Sequence, residues 1–343
     1  MELIKQLTEM KSEYNWTELG LNSDLISFLG DKVPMLTVKP SHLVLWDSFP
    51  SRHRPVAAWV HRPERPLYER FEISSQEAKK IEEKIKYMLM LCKSKWTWNK
   101  VDKKWFLFKC GFITLTLSDV QKHSDQWIKK NMLNDFLTRL RQIHSVNMYL
   151  WRAETQSNGN IHFHILINRF VHWKTVRKIW NGIQKKHGYL DLFFSKKGNY
   201  DANSTDIHSI RKIRNLSAYI AKYMKKGSEG KLDGCSQLDF GIYAVSSHYR
   251  LVEGRIWGCS YFLSKIRNMK LIVTEKIRVE IERVKEKYPV INSIGYYSEI
   301  IKASPKDWID FAPNLWSKLK NYITEIYNQC DFDESFNIAA KKF

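Results

Sequence analysis

Two histidines and one glutamate lie close together in the segment Trp151–Asn168, which reads WRAETQSNGNIHFHILIN. Its Asn-Gly pair is among the strongest short-range signals for a β-hairpin turn. If the turn is centred on Asn158, Glu154 and His162 face each other, because each lies four residues from that centre. His164 shares a strand face with His162, since side chains alternate along a strand. We therefore expect the three side chains to converge on one patch.

These residue types have the donor chemistry of a divalent metal site. Neutral imidazole nitrogens and a carboxylate oxygen together suit a divalent ion. The alternative is a half-exposed strand that carries two histidines and binds no ion. The facing glutamate, at a register that the turn sets independently, favours the metal site, but both interpretations stay open on these residues alone.

Two tyrosines form a second candidate group within residues 216–226, which read LSAYIAKYMKK. Tyr219 and Tyr223 share one face of a predicted helix because they are four residues apart, and Lys222 precedes the second. The alternative is an aromatic stripe buried against a sheet. Two observations favour a reactive pair. Buried hydroxyls need polar partners, and residues 169–231 contain 15 Lys and Arg against 4 acidic residues.

The two groups together support one reaction, the transfer of a DNA strand to tyrosine. A phenol with a pKa of about 10 is a poor nucleophile at neutral pH. It can attack a phosphodiester when a metal ion polarises the phosphate and a nearby cation activates the phenol. The products are a phosphotyrosine and a free 3′-hydroxyl, and because no water is consumed the strand can be rejoined. Two tyrosines one turn apart could alternate in this role.

The composition restricts the class of partner and the compartment. The chain has 343 residues, 43% of them hydrophobic, with 13 tryptophans and a formal net charge of +20. These values exclude a disordered chain and predict a polyanionic partner, nucleic acid first. The sequence contains no run of eighteen apolar residues, so it predicts no membrane span. Its first residues lack the pattern of a signal peptide. Five scattered cysteines favour a reducing compartment, so we expect a cytoplasmic protein without a membrane partner.

Hydrophobic periodicity predicts alternating strands and helices in a domain that covers residues 74–265. A capping box begins the first helix at Ser74. The other predicted elements are a strand region over 106–117, helices over 125–144 and 175–186, the hairpin, a strand over 206–210, the helix over 216–226 and a strand over 254–260. This order is typical of an α+β layer, in which an antiparallel sheet carries helices on one face.

The two ends of the chain are predicted to lie outside this domain. Residues 1–73 hold six of the nine prolines and are expected to form an N-terminal arm that is mostly loop. Residues 266–343 are expected to form a helical C-terminal extension, with charged helix to about Lys287 and a small helical lid or tail after it.

Three segments together resemble the HUH-type rolling-circle replication initiators. The first motif is FITLTLS at residues 112–118, the second is Glu154 with His162-Phe163-His164, and the third is YIAKY at residues 219–223. The motifs occur in the family's order, and the resemblance runs from about residue 75 to residue 262. The two-tyrosine form is similar to the gene A protein of small icosahedral single-stranded DNA phages. The wider sequence resembles initiators of microvirus-like phages and small plasmids of Bacteroidetes-type hosts.

The resemblance implies a five-stranded antiparallel HUH/RRM-like sheet and a divalent ion, Mg²⁺ or Mn²⁺. The implied metal ligands are Glu154, His162 and His164. The implied nucleophiles are Tyr219 and Tyr223, with Lys222 near the scissile phosphate or the metal, and the first motif is implied to be a structural strand.

The implied function is a site-specific single-stranded DNA endonuclease and ligase that starts and ends rolling-circle replication at an origin, in a bacterial host cytoplasm. The sequence contains no G-x-x-x-x-G-K-[ST] motif, so a host helicase is expected to unwind the duplex, together with a host polymerase.

Other functions stay open beside this one. An HUH relaxase or single-strand transposase would use similar residues, but relaxases tend to place the tyrosine before the histidine pair, whereas here the tyrosines follow it. A non-catalytic RRM-like module could bind single-stranded DNA or RNA through charge and stacking, but it would leave the glutamate and histidines without a role. A membrane-surface protein is disfavoured because the aromatic residues fall on predicted strands and core stripes.

Overall fold

The computed structural model describes residues 33–48, 73–92, 95–99, 103–108, 110–209, 250–292 and 298–330. The chain divides into two compact units. The unit that contains the candidate site, called the central unit below, consists of Glu64–Lys265 and Cys330–Phe343. The other, called the terminal unit, consists of Met1–Pro63 and Ile266–Gln329.

The described residues form twelve strands and nine α-helices. The strands are β1 (Val33–Val38), β2 (Leu43–Ser48), β3 (Lys95–Asn99), β4 (Lys104–Phe108), β5 (Gly111–Leu115), β6 (Tyr149–Thr155), β7 (Ile161–Ile167), β8 (Thr205–Ser209), β9 (Trp257–Cys259), β10 (Met269–Ile272), β11 (Val290–Asn292) and β12 (Ser298–Ile301). The helices are α1 (Ser75–Leu91), α2 (Asp125–Ile128), α3 (Asn134–His144), α4 (Trp173–Lys186), α5 (Asp191–Lys197), α6 (Tyr261–Lys265), α7 (Glu275–Lys285), α8 (Pro305–Trp308) and α9 (Pro313–Asn328). One turn of π-helix, Lys129–Leu133, joins α2 to α3.

The central unit contains a five-stranded antiparallel sheet, as the sequence predicts. Its strand order is β8-β5-β7-β6-β9, and each neighbouring pair is antiparallel. The two strands of the predicted hairpin, β6 and β7, lie next to each other in the interior of this order. The mixed α+β class is therefore confirmed.

The described helices α3 and α4 pack on one face of this sheet. Phe163 and Ile165 of β7 are fully buried, in one cluster with Phe136 of α3 and Trp180 of α4. The Trp180 indole N–H donates to the carbonyl of Thr116 at 2.7 Å, which ties α4 to the chain just after β5. Because side chains alternate along β7, the residues on either side of Phe163 point to the opposite face.

The predicted helices at Ser74, 125–144 and 175–186 are present as α1, α2 to α3, and α4. The predicted strand region 106–117 is instead two strands. It breaks near Cys110, where β5 enters the central sheet, while β4 forms a separate hairpin with the unpredicted strand β3. One face of that hairpin exposes three tryptophans, which are Trp96, Trp98 and Trp105.

The terminal unit corrects the expectation of a loop-rich arm and a purely helical extension. Its five-stranded sheet has the order β10-β1-β2-β12-β11, so the two N-terminal strands lie between strands from the C-terminal part of the chain. Its core contains Leu36 of β1 with Ile281, Trp308 and Leu315 from the C-terminal helices. Pro34 disfavoured a strand prediction, and the partner strands lie at the other end of the sequence, so no local pattern reveals this pairing.

Among the residues that the structure describes, no helix combines the length and the apolar character needed to cross a bilayer.

Candidate metal centre

The β6–β7 hairpin has the predicted register. Glu154 pairs directly with His162 across the ladder. The turn is closed by Gln156, whose backbone N–H donates to the carbonyl of Asn160 at 2.8 Å. Gly159 adopts a φ of +81°, in the left-handed region that glycine occupies without strain. The local turn chemistry thus sets which residues face each other.

Side chains from outside the hairpin hold its turn in place. The backbone N–H of Gln121 donates to Oδ1 of Asn160 at 2.9 Å. Arg250 donates through Nε to the carbonyl of Gly159 at 2.7 Å. The same guanidinium makes two hydrogen bonds, of 2.6 and 2.7 Å, to the carboxylate of the buried Asp125. The hairpin is therefore supported by the start of α2 as well as by its own ladder.

Three atoms that could ligate a metal ion meet on the sheet face opposite to the helices. Glu154 Oε1 lies 2.8 Å from His162 Nε2 and 2.9 Å from His164 Nε2, and the two Nε2 atoms are 2.9 Å apart. The side chain of Glu154 is 21% exposed, and each imidazole is 13% exposed. The predicted convergence is present, and the group is shielded but open on one side.

The protonation states suit a cation. Burial raises the pKa of the Glu154 carboxyl, but hydrogen bonds and charge interactions with His162 and His164 outweigh it, so its pKa lies far below the ordinary value. Burial, together with charge interactions with His162 and Arg152, lowers the pKa of the His164 imidazole by more than Glu154 raises it. An ionised carboxylate and a neutral imidazole are the forms that bind divalent ions.

Thr114 orients one of the two imidazoles. It pairs directly with His164 across β5 and β7, and its Oγ1 lies 3.2 Å from His164 Nδ1. Phe112, two residues earlier on β5, stacks on the same ring with 5.4 Å between centroids. In the tautomer with the proton on Nδ1, Nδ1–H donates to Thr114 Oγ1 and the Nε2 lone pair is directed at the three-atom group.

The chemistry of the donor set fits a shared divalent ion. With the proton on His164 Nδ1, its Nε2 lone pair faces the Glu154 carboxylate at 2.9 Å, and two acceptors repel at this distance unless a cation lies between them. Separations of 2.8 to 2.9 Å are also those of adjacent ligands around a six-coordinate ion with bonds of about 2.0–2.1 Å. Glu154, His162 and His164 are therefore a possible divalent-metal-binding group.

Two residues beside this group were not predicted to take part. Thr114 belongs to the first motif, which was expected to be structural only. Arg152 is buried on β6, and its Nη2 lies 3.9 Å from Glu154 Oε2. Alternation along β6 already places Arg152 on the face of Glu154, so the sequence carried a signal for it. Thr114 is recognisable only once the pairing of β5 with β7 is known.

The predicted nucleophiles lie outside the described residues. Tyr219, Tyr223 and Lys222 fall between Ser209, where β8 ends, and Arg250, where the described chain resumes. Their roles stay predictions.

Residues 110–228 match the model of a replication-associated protein family, the ORF2 family. The match covers about a third of the chain and includes β5 to β8, the candidate metal ligands and the predicted tyrosines. Comparison with curated proteins and comparison with solved structures each gave no match. The matched family supports a rolling-circle replication initiator of the endonuclease type, and with it binding to origin DNA.

Proposed function

We propose that this chain is a site-specific single-stranded DNA endonuclease and ligase that initiates and terminates rolling-circle replication of a phage or plasmid. One observation carries the proposal. A carboxylate oxygen and two imidazole nitrogens meet within 2.8 to 2.9 Å, inside the segment that matches a replication-associated family. A protein that only binds nucleic acid has no need of this group, whereas phosphodiester cleavage by a weak nucleophile does.

Each residue has one role in the proposed reaction. Glu154, His162 and His164 would hold Mg²⁺ or Mn²⁺, which when bound supplies positive charge to a phosphate oxygen. The hydroxyl of Tyr219 or Tyr223 attacks phosphorus and loses its proton. The bond from phosphorus to the 3′-oxygen breaks, and that oxygen leaves as a hydroxyl after taking up a proton.

The second tyrosine and the lysine complete the cycle. Lys222 lowers the energy of the phenolate and of the charged phosphate beside it. The 5′-phosphotyrosine conserves the phosphodiester energy, so attack by another 3′-hydroxyl rejoins the strand. With two tyrosines, one keeps a DNA end while the other cuts again, as in the two-tyrosine initiators that the sequence resembles.

The test uses single-stranded origin DNA from the replicon that encodes the chain, labelled at its 3′ end. Incubation with Mn²⁺ followed by a denaturing gel is expected to show a covalent protein–DNA band, because the 5′-phosphate of the 3′ fragment stays on tyrosine. The double variant Tyr219→Phe, Tyr223→Phe is expected to lose the band. Tyr261→Phe removes an exposed tyrosine elsewhere and serves as the matched control.

The metal group is tested in the same assay. His162→Ala is expected to abolish the covalent band while retaining salt-sensitive DNA binding, because phosphate contacts supply most of that affinity. His144→Ala, at the end of α3, controls for loss of an imidazole. A covalent band that forms equally well in a chelator, or in the double tyrosine variant, would contradict the proposal and favour the non-catalytic binder or another nucleophile.

A further inference from the structure

A basic cleft lies along one side of α4. It has a volume of about 550 Å³ and is bounded by α4 and by residues 199–201. Hydrogen bonds fix the second wall to the helix. Asn181 Nδ2 donates to the carbonyls of Tyr200 and Ala202 at 3.1 and 3.0 Å, and Arg177 donates to Oδ1 of Asn203. The cleft is therefore built into the fold of the central unit.

The charges in this cleft are those of an anion-binding site. Its lining contains four cations and one carboxylate, which are Lys174, Arg177, Lys178, Lys185 and Asp201. Within the described ranges, none of the four cations forms an ion pair. The Nε atom of Arg177 is buried and has no hydrogen-bond partner in the same ranges. This local excess of cations fits a ligand with several negative charges.

Two aromatic rings lie among these cations. Trp173 is 44% exposed, and the Arg177 guanidinium lies 4.8 Å from its ring centroid. Lys185 Nζ lies 4.0 Å from the ring centroid of Tyr200, and Phe194 already stacks on that ring with 4.4 Å between centroids. Single-stranded nucleic acid is recognised by this combination, since cations contact phosphates while aromatic rings and guanidinium planes stack on bases. A duplex hides its base faces, so the exposed ring of Trp173 favours a single strand.

Gly182 has no packing role that would explain it in the middle of α4. A glycine inside a helix is less favourable than alanine. A Cβ added at Gly182 would meet no heavy atom within 4 Å. It lines the cleft one turn after Lys178 and three residues before Lys185, so the missing side chain leaves a notch between two cations. Close approach of a ligand backbone accounts for this glycine.

The position of the cleft connects it to the candidate metal centre. The buried side of α4 packs on the sheet face opposite to Glu154 and the two histidines. The second wall of the cleft leads directly into β8, which is an edge strand among the described residues, and β7 is two strands further in. A nucleic-acid strand that leaves the cleft and passes around β8 has about 10 Å of sheet to cross before it reaches β7.

We propose that this cleft binds single-stranded DNA beside the segment that is cut, and guides it around β8 toward the metal-binding group. The inference deepens the proposed function and rests on it for the choice of DNA as the ligand. Binding in the cleft and nicking at the tyrosines are nevertheless separate events, so they are measured separately.

The test is fluorescence anisotropy of a labelled oligothymidylate with the full chain, in chelator so that no cleavage occurs. The variant Lys178→Ala, Lys185→Ala is expected to bind about tenfold more weakly at low salt, with a salt slope smaller by about 1.4, the value for two lost phosphate contacts on a single strand. The control is Lys130→Ala, Lys186→Ala, which removes two exposed cations outside the cleft.

Gly182→Gln separates a ligand site from a structural role. Glutamine is a better helix former, so the melting temperature is expected to rise by about 2 °C, while the longer side chain fills the notch and weakens oligothymidylate binding several-fold. Both effects together support the cleft, because a purely structural substitution would not strengthen the fold and weaken binding at once.

The outcomes distinguish this inference from the proposed function. Equal affinity of the cleft and control variants, or tighter binding of a matched duplex than of the single strand, would overturn the cleft as a single-strand site. Nicking by the unmodified chain would then still support the proposed function. Conversely, suppose that the cleft variant binds oligothymidylate more weakly than the control variant while the unmodified chain never forms the covalent product. The cleft would then be a single-strand site of a DNA-binding protein that does not nick.

Discussion

At the scale of single residues, the contact of Thr114 with His164 distinguishes a metal-binding arrangement from a coincidental pair of histidines. A ring that only fills space on a strand needs no defined tautomer, whereas a metal ligand needs its lone pair aimed at the ion. Thr114 supplies that aim through Nδ1, and Phe112 holds the ring plane. The Nδ1 of His162 is buried without a hydrogen-bond partner in the described ranges, so a comparable contact for it is not seen there.

Removing the Thr114 hydroxyl should weaken metal binding without unfolding the chain. Thr114→Val keeps the shape and β-branching of the side chain but deletes the oxygen 3.2 Å from His164 Nδ1. We expect the affinity for Mn²⁺ to fall about tenfold, as is usual when a partner of a ligating imidazole is lost. The measurement is titration with Mn²⁺ followed by electron paramagnetic resonance.

Thr116→Val is the matched control for that substitution. Its hydroxyl donates to the carbonyl of Ser204 at 3.1 Å and does not contact either imidazole. We expect lower stability in this variant with unchanged Mn²⁺ affinity. If both variants bound Mn²⁺ like the unmodified chain, Thr114 would have no part in positioning the ligand.

At the scale of secondary-structure elements, the β6–β7 hairpin is held by a charged pair from distant parts of the sequence. Asp125 begins α2 with its side chain fully buried, and both of its oxygens accept from Arg250. Arg250 also donates a hydrogen bond to the carbonyl of Gly159 in the hairpin turn. Breaking a buried pair is strongly unfavourable because it leaves a charge without its partner.

Asp125→Asn should therefore destabilise the central unit by about 2 kcal/mol, less than for a fully buried pair because Arg250 is partly exposed. Urea denaturation at neutral pH measures this. Asp135→Asn, which breaks a partly exposed pair with Arg139 on α3, is the control and should change stability by about 0.5 kcal/mol or less. Similar losses in the two variants would show that the buried pair has no special role.

The same pair predicts how stability depends on pH. Burial raises the pKa of Asp125, but hydrogen bonds from Arg250, Gln121 and the backbone of Glu253, with the charge of Arg250, outweigh it, so its pKa in the folded chain is depressed. Its contribution is present above the unfolded pKa of about 3.9, and it is lost as the pH falls through the folded pKa. The unmodified chain should thus lose stability below about pH 4, and this slope should be shallower in Asp125→Asn.

Element pairing could be predicted from the sequence where a local signal specifies it. The Asn-Gly turn fixed the β6–β7 register, so the facing of Glu154 and His162 followed without any long-range information. The neighbour of β6 on its other side could not be found in this way. Gly258 of β9 lies under the Trp151 indole, where an added Cβ would come within 2.8 Å of Nε1. The close contact with Trp151 explains why residue 258 is a glycine, but this explanation requires knowing that β6 pairs with β9.

At the scale of the whole molecule, the net charge predicts the class of partner, but the sequence does not reveal that the two ends of the chain form one sheet. A net charge of +20 predicts a polyanionic partner whatever the fold. The terminal sheet depends instead on contacts between residues 33–48 and residues 269–301, which no turn or periodic pattern connects. Such distant pairings leave no local trace in a single sequence, and the prolines around β1 and β2 directed the prediction toward loop.

The strand order of the terminal unit makes a prediction about truncation. β1 and β2 lie between β10 and β12, so deleting residues 1–63 removes the middle of the sheet and takes from β10 its neighbour among the described strands. We expect residues 266–329 then to become sensitive to limited proteolysis, with new cleavage sites identified by mass spectrometry. A chain lacking only residues 1–32 keeps both strands and should resist the protease in this region. Resistance in the longer deletion would mean that the C-terminal strands and helices are stable by themselves, because the core that β1 and β2 share with Trp308 and Leu315 would then be dispensable.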